Sequence, residues 1–160
     1  MIPSTYSYTG IKFPWGSCPA TDYLFGSGET PCWHDGAAFN KLSKVRTICH
    51  HEAVQKDLRV CWEGEQIDRN CGVCFKCVAT QICFWLSGVE RPACFGDGCG
   101  LDRVAETYLK KSPQNIALFQ LFEKEARACN MPELAAACAH ALGSQKSARL
   151  KRNLRRVFRR

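Results

Sequence analysis

No stretch of this chain approaches the roughly 18 consecutive apolar residues of a membrane-spanning helix, so an integral helical span is not expected. No basic–apolar–small-residue pattern precedes a cleavage site at its start. A thiol-rich chain without a secretion signal is expected in a reducing compartment, where sulfurs bind metal or stay reduced, and the cytoplasm is the default expectation. No internal repeat is visible. His50-His51-Glu52 lacks the spacing of the zinc-protease helix motif, which sets that hydrolytic class aside and leaves both histidines as solvated helix-end residues.

Acidic residues are missing from Ser144–Arg160, which holds eight of the 22 cationic residues, whereas all 15 acids lie upstream. The body is therefore close to neutral, and the net charge of +7 belongs to the tail. Leu150, Leu154, Val157 and Phe158 form one apolar stripe there, so the tail reads as an amphipathic helix. Arg149, Lys151, Arg152, Arg155 and Arg156 are its candidate contacts to an anionic membrane surface or to nucleic acid. Phe158 stands alone as an aromatic, which favours a membrane surface or partner over base stacking, and makes a peripheral membrane location the alternative to free cytoplasm.

What is abundant is cysteine, with twelve in 160 residues. Cys61 is followed by Cys71-Gly72-Val73-Cys74-Phe75-Lys76-Cys77, and four sulfurs in so short a span match the tetrahedral thiolate shell of Zn²⁺. Gly72 stands where a tight turn needs a positive φ. Cys74 and Cys77 fall at the start of an apolar-striped helix, whose N-terminus favours thiolate. Disulfides or free thiols are the bland alternative. An iron–sulfur cluster is the other, but such runs continue with a cysteine after three residues and then proline, whereas Cys83 comes after five with no proline.

Around this cluster the periodicity predicts helices over Asn40–His50, Glu52–Asp57 and Cys74–Leu86, and a strand over Leu58–Trp62 that buries Leu58, Val60 and Trp62. Met1–Pro31 reads as loop with one short strand, and Cys32-Trp33-His34 as a brief strand ended by Asp35-Gly36. Beyond Arg91-Pro92, a glycine-rich loop (Cys94–Gly100) precedes helices expected around Asp102–Lys110, from Ser112-Pro113 onward, and from an Asn130-x-x-Glu133 capping box to Gly143. Cys83, Cys129 and Cys138 are expected as small buried hydrophobes. Cys94 and Cys99 could supply half of a second metal site with Cys18 or Cys32, although nothing in the linear order pairs them.

The segment Asn70–Thr80, with Cys61 upstream, resembles the zinc-binding segment of 7-cyano-7-deazaguanine synthases and their relatives in the PP-loop ATP pyrophosphatase superfamily, the adenine nucleotide alpha hydrolase-like proteins. Pro14-Trp15-Gly16-Ser17-Cys18-Pro19-Ala20-Thr21-Asp22, His34-Asp35-Gly36-Ala37 and Lys44-Val45-Arg46 are similar to the same relatives in order and spacing. The resemblance implies an α/β fold: a partial Rossmann-like C-terminal portion over residues 1–90 with a four-cysteine zinc loop, followed by a helical extension (91–143) and the basic tail (144–160). It implies Zn²⁺ on Cys61, Cys71, Cys74 and Cys77, and a small-molecule substrate near Ser17, Asp22, His34 and Asp35. The implied chemistry is an ATP-dependent, adenylating, ligase-type reaction.

The family's Ser-Gly-Gly-x-Asp-Ser phosphate loop is absent. Gly26-Ser27-Gly28-Glu29-Thr30, its nearest match, reads as an ordinary turn. ATP is thus expected only if a separate N-terminal half or a second copy of the chain supplies its site, and this chain alone is expected to be inactive. The rival readings are a non-enzymatic zinc interaction module tethered by its tail, and an iron–sulfur protein.

Overall fold

The computed structural model describes residues 1–4, 7–11, 16–62, 68–109 and 112–157, with side chains followed as far as Ser144. Pro14 and Trp15 of the resembling segment and the side chains of the tail cations lie outside the described residues. The chain forms two compact units, Met1–Ile48 and Cys49–Arg160.

In the first unit, β1 (Ile2–Pro3) and β2 (His34–Asp35) pair in parallel, Ile2 opposite His34 and Pro3 opposite Asp35. The N–H groups of Ile2 and Ser4 donate to the carbonyls of Trp33 and Asp35 at 2.6 and 2.7 Å, which leaves Pro3 at the position that needs no donor. α1 (Lys41–Ile48) opens where Asn40 Oδ1 accepts the Ser43 N–H at 2.9 Å, and it buries Leu42 and Val45. Ser27 and Thr30 exchange backbone hydrogen bonds at 3.0 and 3.1 Å, closing a reverse turn over the stretch nearest to a phosphate loop.

The second unit is helical: α2 (Glu52–Asp57), α3 (Phe75–Trp85), α4 (Leu101–Ala105), α5 (Pro113–Ala128) and α6 (Pro132–Val157). α3 is deeply buried, from Cys77 through to Phe84. Phe75 stacks on Phe119 at 5.9 Å between ring centres, and Phe119 meets Phe122 at 5.7 Å. Both α4 and α5 pack on α6, whose Leu134, Ala135, Cys138 and Ala141 are buried. Ser112 caps α5 as its sequence predicts, accepting the Asn115 N–H at 3.4 Å ahead of Pro113.

Four local expectations are corrected. Leu58–Trp62 forms no strand, and its phase is inverted at the end: Cys61 is buried whereas Trp62 is exposed, with the Lys76 ammonium over its ring. Asn130 does not open α6 as a capping box. It has φ 55° and closes α5 in a Schellman turn, with Asn130 N–H on the Arg127 carbonyl (3.2 Å) and Met131 N–H on that of Ala126 (2.8 Å). Gly143 does not end α6, which runs on to Val157, because one exposed glycine weakens a long helix without breaking it. Cys129, at the α5 C-terminus, is exposed rather than buried. β1–β2 is the one sheet among the described residues, and no described helix is long and apolar enough to cross a membrane.

Candidate functional site

The sulfurs of Cys61, Cys71, Cys74 and Cys77 all lie within 4.8 Å of one another. Tetrahedral Zn–S bonds of about 2.3 Å require S···S edges of about 3.8 Å. Three of the observed edges are Cys61–Cys71 at 3.4 Å, Cys61–Cys74 at 3.6 Å and Cys71–Cys77 at 3.8 Å. The donor set therefore fits a thiophilic dication, and it is the one such group among the described residues.

Local chain geometry explains how the four converge. Gly72 has φ 74°, as its place in the turn predicts; a Cβ there would meet nothing closer than 3.6 Å, so conformation rather than space demands glycine. Cys74 is the N-cap residue of α3, and its N–H donates to Cys71 Sγ at 3.3 Å. Cys77 sits in the first turn of α3, so both sulfurs lie at the positive end of that helix. Burial first, and then the neighbouring thiols, push the Cys74 and Cys77 thiols up from their ordinary range. Clustered thiols resist ionising together, and a bound dication reverses that balance.

Two buried amides hold the loop, and neither was singled out from the sequence. Asn70 Oδ1 accepts from the N–H groups of Val60 and Cys61 (3.0 and 3.3 Å), while its Nδ2 donates to the carbonyls of Leu58 and Cys94 (2.7 and 2.9 Å). One side chain thus satisfies backbone groups of Leu58, Val60 and Cys61, a segment with no strand partner among the described residues. Gln81, fully buried in α3, donates to the carbonyls of Gly72 (2.9 Å) and Cys77 (3.2 Å) and accepts from Cys99 N–H (2.8 Å). Its sequence signal was a polar residue amid the apolar stripe of α3. Arg103 adds a fork onto the Val73 carbonyl, at 3.0 and 2.8 Å.

On the Asn70–Gly72 side opens a cleft of about 780 Å³, lined in part by Lys56, Arg59 and Arg69 against Asp57, Asp68 and Asp97. Its size suits a small molecule, and its mixed charge selects no single sign. Cys94 also lines it, with its thiol pushed up by burial; the Cys99 thiol is pushed up to about 11, again by burial. Neither joins a metal-type cluster among the described residues.

The first unit brings together three of the four substrate candidates. Asp22, fully buried, accepts from Ser17 Oγ (2.7 Å), Cys18 N–H (2.7 Å) and His34 Nδ1 (2.5 Å). The Cys18 N–H, opposed by burial and helped by His34 and Ser17, holds the Asp22 carboxyl below its usual range. Asp35 is not part of this group. As the next residue of β2 it lies on the opposite face, exposed, where its charge partly offsets the burial that lowers the Lys44 pKa.

Comparison of the chain with protein-family models, curated proteins and solved structures finds no match. Geometry and donor chemistry alone therefore define its class, that of a protein with a four-cysteine site able to hold a metal ion.

Proposed function

We propose that the chain is a Zn²⁺-stabilised C-terminal part of a PP-loop-type, 7-cyano-7-deazaguanine synthase-like protein, and that it forms part of a small-molecule pocket. The observation that carries this reading is the four-sulfur cluster at near-tetrahedral spacing, built on the residues that bear the resemblance. The meeting of Ser17, Asp22 and His34, dispersed in sequence, supports a pocket in the first unit. The Rossmann-like architecture belongs to the same reading, with β1–β2 as the piece of sheet this chain contributes.

Zinc here is structural: it ties the 58–61 segment to the first turn of α3 and takes no part in a step. ATP, held by a separate N-terminal half or another copy, would supply the activation of a carboxylate or similar oxygen. This chain's residues bind and orient the substrate. Elemental analysis of chain purified under reducing conditions should give one zinc per chain. Such chain should release no pyrophosphate from ATP by itself. A brown, iron-containing anaerobic preparation, or zinc well below stoichiometry, would overturn the reading.

A further inference from the structure

His34 is held at one nitrogen and empty at the other. Its side chain is 6 % exposed, Nδ1 is bonded to Asp22, and Nε2 is buried with no hydrogen-bond partner among the described residues. An unsatisfied buried nitrogen costs stability, and such a loss is tolerated where a bound molecule supplies the missing partner.

The hydrogen placement follows from the acceptor. Asp22 also takes the Ser17 hydroxyl and the Cys18 N–H, and an ionised carboxylate only accepts, so the shared hydrogen sits on His34 Nδ1. In the neutral ring this leaves a bare lone pair on Nε2. The arrangement is not a serine nucleophile triad: Ser17 donates to the aspartate rather than to the imidazole, and no hydroxyl or thiol of the described residues reaches Nε2. Nor is it half of a metal site, because His34 belongs to no group of three ligands among the described residues. Among the described residues nothing donates a hydrogen to Nε2, which leaves that place to a ligand.

We propose that His34 Nε2, with its ring fixed by Asp22, is the acceptor for an N–H or O–H group of a small non-anionic ligand, and the base for that proton when the group is acidic enough. In that step the ligand's N–H or O–H bond breaks, its electron pair stays on the ligand, and the new Nε2–H bond leaves an imidazolium facing the Asp22 carboxylate. An anion is disfavoured by the same buried carboxylate. The proposal rests on the reading of the first unit as part of a pocket; the four-sulfur cluster lies in the other unit and is tested separately.

The test is a two-bond ¹H–¹⁵N spectrum of His34 in the full, zinc-loaded, ¹⁵N-labelled chain, titrated with a cyclic urea, with phenol, and with acetate as the anionic control. The expected result is hydrogen on Nδ1, a bare Nε2, and a saturable Nε2 shift with a donor probe but not with acetate. His34→Asn keeps a donor toward Asp22 and removes Nε2; it should bind the donor probes about tenfold more weakly, the loss of one hydrogen bond. A protonated Nε2 in the native chain, an Nε2 blind to both donors, or undiminished probe binding by H34N overturns the proposal and leaves a structural histidine. If H34N fails to fold, the native spectra decide. Zinc content of the same sample reports on the metal reading, so that failure of one remains distinct from failure of the other.

Discussion

The metal loop and the Asp22 loop solve the same problem with different materials. Each must hold an irregular segment in place with few apolar contacts of its own. In the second unit the loop is fastened to a buried helix, by four sulfurs converging on one point and by the amides of Asn70 and Gln81 on otherwise orphaned backbone groups. In the first unit one carboxylate gathers a hydroxyl, a backbone N–H and an imidazole. With the proposed ion bound, the four-cysteine loop is strong but conditional on that ion. A carboxylate-tied loop needs no ion, but among the described residues it leaves one buried ring nitrogen without a partner, on which the proposed ligand contact rests.

Removing the metal should separate the two most clearly. Structural zinc binding is worth about 10–16 kcal/mol, against about 5–15 kcal/mol for the stability of a whole domain. A chelator titration followed by circular dichroism should therefore unfold the region around Cys61 and α3. Unchanged helicity in metal-free chain would erase the contrast between the two loops.

Next in size is Gln81→Leu, which keeps the apolar volume and strands the Gly72 carbonyl and the Cys99 N–H. The expected loss is about 2–4 kcal/mol in a denaturant titration, with faster release of zinc to a chelator. A neutral result would mean that the sulfurs alone hold the loop.

Asp22→Asn probes the other region through pH. The Asp22 pKa is lowered on folding, so its contribution is present above the unfolded value of 3.8 and is lost as pH falls through the folded one. Acid titration of the native chain should show this loss below about pH 4, and D22N should remove it while lowering stability at neutral pH. Identical acid limbs would show that the carboxylate does not organise its loop.

The smallest effect concerns α6, a helix of the second unit. Gly143 is exposed inside the helix, and a Cβ there meets nothing within 4 Å. Gly143→Ala should stabilise by about 0.5–1 kcal/mol, read from the thermal midpoint. Destabilisation would mean that the helix ends at Gly143 after all.

Residue order was enough wherever short-range connectivity is in control. Four cysteines within one short span converge because little chain separates them, Gly72 turns because only glycine enters φ 74° freely, and α1, α3 and α5 follow from apolar period and caps. Three-dimensional packing was needed for whatever depends on groups far apart in the chain. Asn70 reaches Cys94, and Gln81 reaches Cys99, to satisfy backbone that a strand partner would otherwise have taken. His34 and Asp22, twelve positions apart, meet in a loop without any periodic pattern to announce it. Alternation mispredicted Leu58–Trp62 for the same reason: burial there is set by which groups come to cover the segment, and a one-dimensional pattern does not contain them.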